Sequence, residues 1–252
     1  MLHSEPNILG IIPARYASTR FPAKALAKIG GISMIQRVYE QACKANSLNK
    51  VIVATDHPTI FEHVESFGGV AVLTSPQHQS GTDRCQEAYF NSEYKADYII
   101  NIQGDEPFIQ PEQIDLLAEA LDNKPELATL VKQISDAETL FNPNTPKVLL
   151  NSAQEAIYFS RQTLPYLRGI APEHWLEHHT FYKHIGIYAY RTDVLAKITQ
   201  LEPSSLEQAE SLEQLRWLEN GFKIKVAITE HDSHGIDTPE DLAKAEKLFL
   251  GL

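Results

Sequence analysis

Apolar residues along this chain keep two different rhythms. In the first half, short apolar runs at residues 8–12, 51–54, 70–73 and 97–102 predict buried strands, with stretches of helical character between them. Residues 34–45 carry apolar side chains at Met34, Ile35, Val38 and Ala42, the three- and four-residue spacing of one helix face. Residues 60–67 read as a second helix, stopped by Gly68-Gly69, and residues 82–90 as a third. Pro111 opens a fourth that runs to Leu121. Proline suits a first helical position because the N–H it lacks would find no partner there. Strand and helix in turn predict an α/β fold around a parallel sheet.

After residue 128 the rhythm changes. Residues 128–131, 148–150, 156–159 and 184–190 read as strands with few helices between them. Residues 164–182 are rich in proline, histidine and aromatic side chains. An inserted subdomain and a subunit interface would both account for that stretch, and the interface is the reading adopted. A helix over 206–219, a strand over 223–228 and a helix over 239–249 close the pattern, with no internal repeat.

Composition narrows the function classes. The 252 residues are 43% hydrophobic and 22% charged, which is ordinary for a globular protein. Lys and Arg number 22 against 33 Asp and Glu, a net charge of −11. Phosphate-backbone binding needs a basic field, so a nucleic-acid partner is not expected. Two cysteines, Cys43 and Cys85, make no disulfide framework and fit a reducing compartment. The first residues lack the basic start and apolar core of a secretion signal. No apolar run reaches the roughly 20 residues that span a bilayer. The expectation is a cytoplasmic protein without a membrane partner.

Candidate chemistry gathers at two strand ends. The apolar run Tyr98-Ile99-Ile100 leads into Asn101-Ile102-Gln103-Gly104-Asp105-Glu106-Pro107, a turn carrying two carboxylates. In α/β folds, ligands and metal ions sit just beyond the carboxyl ends of strands. The first strand runs into residues 13–24, where Arg15, Arg20 and Lys24 lie within ten positions among hydroxyl and amide donors. Arginine grips phosphate oxygens through paired N–H groups and lysine adds a compact charge, so this loop suits a polyphosphate. The same cations would also serve as a solvated surface. The loop matches neither G-x-x-x-x-G-K-[ST] nor G-x-G-x-x-G, which argues against P-loop NTPases and dinucleotide dehydrogenases. Asp237, just before Pro239, fits a helix N-cap on its own terms. Ser80-Gly81-Thr82-Asp83-Arg84 fits a helix start. Glu210, Glu213 and Gln214 would share one helical face, which a solvated surface would also explain. His174, His178 and His179 lie near Trp175 without a cysteine or a zinc spacing, so an interface or surface role is expected there.

These blocks resemble a known family. Ile11-Ile12-Pro13-Ala14-Arg15-Tyr16-Ala17-Ser18-Thr19-Arg20-Phe21-Pro22-x-Lys24 is similar to the opening signature of the 3-deoxy-manno-octulosonate (KDO) cytidylyltransferases. The likeness continues at Val53-Ala54-Thr55-Asp56, residues 80–84 and 101–107, Tyr158-Phe159-Ser160-Arg161, His184-Ile185-Gly186-Ile187-Tyr188, residues 212–216 and residues 237–242, in family order over nearly the whole chain. The resemblance implies a Rossmann-like nucleotidyltransferase fold of the glycosyltransferase A kind. Its sheet would be mixed and mainly parallel, in a single 1–252 domain whose residues 128–190 form a smaller β-rich region for the sugar side and dimerisation. It implies a homodimer that uses Mg²⁺ to transfer CMP from CTP to KDO for lipopolysaccharide assembly. A related 2-keto sugar acid, such as the 8-amino sugar or sialic acid, and a non-catalytic sugar-nucleotide binder are the alternatives.

The resemblance also implies site roles. Pro13, Ala14, Arg15, Ser18, Thr19, Arg20, Lys24, Ser80, Gly81 and Arg84 would bind the nucleotide, with Arg84 near cytosine. Gln103, Arg161, His184, Tyr188, Glu213 and Gln214 would bind the sugar. Asp105 and Asp237 would hold the metal, and with Arg15, Arg20 and Lys24 they form the catalytic set. Two departures stand out. Ala23 occupies a usual glycine position in Pro22-Ala23-Lys24-Ala25-Leu26, and Pro146 precedes Lys147 in place of an aliphatic residue. Alanine disfavours a positive φ, so a left-handed turn at residue 23 is expected to be altered or absent.

Overall fold

The computed structural model describes residues 6–17, 21–122 and 124–250, without the side chains of the last three. The chain divides into two compact units, one built from residues up to Ala118 together with those from Ser233 onward, the other Glu119–Asp232.

The first unit is organised on β1 (Ile8–Ala14), whose apolar run is buried on both faces. Such a run needs neighbours on both sides. A two-residue hairpin, β2 (Lys28–Ile29) and β3 (Ile32–Ser33), precedes α1 (Met34–Ala42). Ser33 Oγ accepts from Gln36 N at 3.3 Å and caps α1, which buries Met34, Ile35, Val38 and Ala42. Next come β4 (Lys50–Thr55), α2 (Pro58–Ser66) with proline in its first turn, and β5 (Ala71–Leu73). Then follow α3 (Gly81–Asn91), β6 (Tyr98–Asn101) and α4 (Pro111–Glu119). β1 pairs in parallel with both β4 and β6, and β4 with β5. The parallel α/β expectation is met here. Parallel order sends the carboxyl ends of β1, β4 and β6 to one edge, where residues 15–17, 56–57 and 102–107 emerge.

The second unit opens with β7 (Leu127–Gln133), α5 (Ala137–Phe141), β8 (Lys147–Leu150) and β9 (Ala156–Ser160). It continues through α6 (Trp175–His178), β10 (Tyr182–Arg191), α7 (Thr192–Ile198), α8 (Ser205–Glu210), α9 (Gln214–Glu219) and β11 (Ile224–Ile228). β7 runs antiparallel to β10 and parallel to β11, and β8 pairs antiparallel with β10 and β9. The expected 206–219 helix is two helices, because Ser211 at φ 51° breaks it. The proline- and histidine-rich stretch packs Trp175 and Phe181 with Ile134 and Leu140 in a small apolar cluster of this unit. Finally α10 (Pro239–Leu250) returns to the first unit.

The turn at residue 23 corrects the expectation stated above. Ala23 adopts φ 54°, ψ 28°, a left-handed conformation held by Ala23 N donating to Tyr16 O at 3.0 Å. The loop keeps the shape that glycine would favour and holds alanine in it. Left-handed backbone costs a side chain roughly 1–2 kcal/mol, and glycine loses roughly 0.5–1 kcal/mol more backbone entropy on folding than alanine. Ala23→Gly is therefore expected to raise stability by about 0.5–1 kcal/mol, readable in a urea titration.

Candidate active site

Three segments of the first unit converge at its carboxyl edge. Beyond β1, Tyr16 N donates to Asp56 Oδ1 at 3.0 Å and its ring stacks on His57 at 3.9 Å between centroids. The chain then returns through Ala23 to a 3₁₀ turn, Lys24–Leu26, which aims the Lys24 side chain inward. Beyond β6, Gly104 passes so close to β1 that an added Cβ would lie 2.7 Å from Pro13 O, and only glycine fits there. The next residue is Asp105. Its carbonyl accepts from Ile236 N at 2.9 Å, which brings Asp237 beside it.

Lys24 Nζ stands between the two carboxylates, 2.7 Å from Asp105 Oδ2 and 3.0 Å from Asp237 Oδ1. Two acidic oxygens from distant parts of the chain thus address one cationic atom. The helix-cap reading of Asp237 does not describe this geometry. Thr238 is the cap: its Oγ1 accepts from Asp241 N at 3.2 Å, and Asp241 Oδ2 accepts from Thr238 N at 3.1 Å. That is a reciprocal capping box, and the Asp237 carboxylate is turned to Lys24. Thr238→Ala is expected to lower stability by about 1 kcal/mol and to spare turnover, a comparison made by melting and initial rate on one sample.

The carboxylates border a cleft of about 330 Å³ whose walls include Pro13, Ala14, Arg15, Ser80, Gly81, Arg84, Gln103 and Gly104. Ser18, Thr19 and Arg20 lie outside the described residues. Ser80 Oγ accepts from Asp83 N at 3.0 Å and starts α3, so Gly81 and its amide come at a helix N-terminus facing the cleft. Such an end favours anions and electron-rich groups.

Arg84 reaches this wall from beneath. It is buried, and its guanidinium donates to Thr74 Oγ1 at 2.6 Å, Ser75 O at 3.3 Å and Asp56 Oδ2 at 3.3 Å. Asp56 therefore links the segment beyond β1, through Tyr16 N, to the cleft wall, through Arg84. Removing one partner of a buried ion pair strands the other, so Arg84→Ala is expected to lose about 3 kcal/mol of stability in chemical denaturation.

The cleft also contains Ala25 and two residues that the sequence alone did not single out, His78 and Gln79. His78 Nε2 makes a short contact with Glu87 Oε2. Burial opposes the charge on Glu87, yet bonds from Ser75 N and His78 hold its carboxyl below the usual range. No spacing rule connects residues 78 and 87 with a ligand; the link exists only once α3 has formed.

The remaining sugar candidates belong to the second unit. Register in β10 shifts between Ile185 and Tyr188. Four residues of regular strand span about 13 Å, but here the rings of His184 and Tyr188 lie 5.1 Å apart. Thr129 Oγ1 lies 2.7 Å from Ile187 O, its proton acceptor, so the 3.0 Å contact with His184 is a donation from Nε2. That tautomer leaves Nδ1 as an acceptor. Tyr188 is buried and its hydroxyl has no hydrogen-bond partner among the described residues. Burial, with Tyr190 and Glu213 nearby, pushes that hydroxyl well above the usual range. Arg161 donates to three backbone carbonyls, those of Glu210, Ser211 and Pro143. Glu213 and Gln214 follow the break at Ser211, so they do not continue the face of Glu210 as one helix would require.

Burial pushes the His184 imidazole down to about 3. The folded value is below that of a free ring, so folding favours the neutral form. This stability is complete above about pH 6.5 and is lost as pH falls towards about 3. His184→Gln is expected to flatten the acid side of the stability profile, measured by urea midpoints at a series of pH values.

Among the described residues, no three His, Cys, Asp or Glu side chains are gathered to hold a metal ion, and no helix is long and apolar enough to cross a membrane. Residues 9–224 match the Cytidylyltransferase family. A 3-deoxy-manno-octulosonate cytidylyltransferase of Cytophaga hutchinsonii is 61% identical over 96% of this chain and 98% of its own. One from Bacteroides thetaiotaomicron is 56% identical, again over 96% of this chain and 98% of its own. A solved CMP:2-keto-3-deoxy-manno-octonic acid synthetase complexed with CTP superposes with a TM-score of 0.89 at 43% identity, covering 97% of this chain and 99% of that one. A 4-diphosphocytidyl-2C-methyl-D-erythritol synthase from Anaerococcus prevotii, 13% identical, shares the fold with a TM-score of 0.62, covering 98% of this chain and 100% of its own.

Proposed function

The chain belongs to the 3-deoxy-manno-octulosonate cytidylyltransferases and transfers CMP from CTP to KDO, and we propose that it does so with Mg²⁺ at Asp105 and Asp237. The observation that carries the metal assignment is the convergence of both carboxylates on Lys24 Nζ. A pair of acidic oxygens open to substrate phosphates suits Mg²⁺, which takes hard oxygen ligands and usually keeps some from water or substrate. When bound, the ion supplies a Lewis acid at the transferring phosphoryl group.

The cleft supports the protein side of the reaction. Arg15 and Lys24 on its walls, with Arg20 as the family signature implies, neutralise the triphosphate and favour departure of pyrophosphate as the anomeric oxygen of KDO bonds to the α-phosphorus. Asp105 and Asp237 hold the Lys24 ammonium at the mouth of the phosphate site; with Mg²⁺ on those carboxylates, Lys24 would be available to a phosphate oxygen. The Ser80-Gly81 helix start and the strand-end backbone at Pro13 and Ala14 receive the nucleoside, with Arg84 holding that wall rigid. In the second unit, His184 Nδ1, the Tyr188 hydroxyl, Arg161, Glu213 and Gln214 offer the mix of cation, acceptor and donor that a carboxylated polyhydroxy sugar needs, and in the first unit Gln103 offers an amide on the wall of the cleft. The reading extends to lipopolysaccharide synthesis in the cytoplasm and to a homodimer, the last supported by the exposed Tyr166 and Ile157 in and beside the aromatic stretch.

Pyrophosphate release is the direct test, with CTP, Mg²⁺ and a panel of 2-keto sugar acids. KDO should be turned over in preference to its 8-amino analogue and sialic acid, and chelation should abolish release. Undiminished turnover in EDTA would overturn the metal assignment. Arg20→Ala should weaken CTP use more than KDO use, with a rate loss on the order of 10²-fold for a donor to developing charge.

A further inference from the structure

The end of β9 is gripped from two sides. Glu210, in the last turn of α8, receives Ser160 Oγ on one carboxylate oxygen at 2.6 Å and Arg161 N on the other at 2.9 Å. Arg161 Nε donates back to Glu210 O at 2.7 Å. From the other side Lys147, with no exposed surface, donates to Arg161 O at 2.7 Å and Asn142 O at 2.9 Å. Both backbone groups of Arg161 are therefore fixed. Just past Glu210, the left-handed Ser211 turns the chain so that Glu213 and Gln214 follow at the start of α9.

We propose that Glu210 is a positioning residue for the sugar acid. Its carboxylate ties the end of β9 to the α8–α9 corner and sets the separation between Arg161 on one side and Glu213-Gln214 on the other. This rests on the reading of those three residues as sugar contacts. The carboxylate is suited to the task because it accepts two hydrogen bonds at once from donors on adjacent residues. Glutamine offers one acceptor oxygen and would set an NH₂ against the second donor. Aspartate is one methylene shorter and cannot hold the same span.

The test varies KDO and CTP separately in steady-state kinetics of Glu210→Gln and Glu210→Ala, with melting followed on the same preparations. Losing a hydrogen bond to a charged group should raise the KM for KDO about tenfold in Glu210→Gln, and further in Glu210→Ala, with the KM for CTP within about twofold of wild type. If kcat, both KM values and melting shifted together, Glu210 would be a general strut and the proposal would fail. If neutralising it lowered the KM for KDO, it would act as a like charge against the sugar carboxylate, which also overturns the proposal. Arg161→Ala, Glu213→Ala and Gln214→Ala separate this from its basis. Unchanged KDO kinetics in all three would remove the sugar-side reading and the proposal with it. Raised KM values in those three with a normal Glu210→Gln would remove the proposal alone.

Discussion

Asp105→Asn is expected to fold normally and to lose on the order of 10³-fold of its turnover, because the proposed metal at the phosphoryl group would supply several kcal/mol of charge stabilisation. Asparagine keeps the shape of the side chain but removes one negative charge from a pair that now balances Lys24. Excess Mg²⁺ should recover part of the binding and little of the rate. Asp237→Asn should behave alike. Thr238 and Asp241 already cap α10, so the change leaves the capping box in place. Matched losses in the two variants, with wild-type melting, are the expected outcome in a continuous pyrophosphate assay. Wild-type turnover in either variant would remove that carboxylate from the metal site.

Lys24→Met is expected to have two effects of opposite sign. Turnover should fall on the order of 10²–10³-fold, since a donor to developing phosphate charge is lost. Affinity for Mn²⁺ in the absence of CTP should rise, because the ammonium that bonds both carboxylates is gone. Electron paramagnetic resonance of free Mn²⁺ reads the second effect without any turnover. Arg15→Ala removes a charge from the same cleft without touching Asp105 or Asp237, so it gauges the general electrostatic contribution. An equal gain in both variants would mean that Lys24 does not compete directly for the carboxylate oxygens.

Much of the first unit was legible because its strands are buried on both faces. The run around Ile11 and the run around Val53 each read as continuous apolar segments, and each became a parallel strand. What escaped was short or depended on context. The hairpin of β2 and β3 has two residues per strand, too few for any period to register. The division of 206–219 was hidden because Leu206 and Ala209 before Ser211 and Leu212 and Leu215 after it keep one three-residue apolar spacing, and a serine gives no sign of a left-handed turn. Ala23 misled for the opposite reason: its intrinsic preference points away from the conformation that the loop enforces. The cap that residue pattern alone offered at Asp237 falls one residue later, at Thr238, a shift of the size usual at helix ends. In the cleft, the charged residues that announce phosphate chemistry stood out by type and position. His78 did not, because its meaning comes from Glu87 across a folded turn.

The contact between Lys24 and Asp237 joins positions 213 apart in sequence. Such a contact is among the last that a growing polypeptide can make, and closing so long a loop is slow relative to local structure. The strands that flank the cleft can assemble while synthesis continues, but the acidic pair is incomplete until residue 237 has emerged and docked through Ile236. Premature termination before that point leaves Lys24 beside a single carboxylate. On the proposed metal assignment, catalytic competence is acquired late, and divalent-ion binding would report on how far the chain has folded during translation.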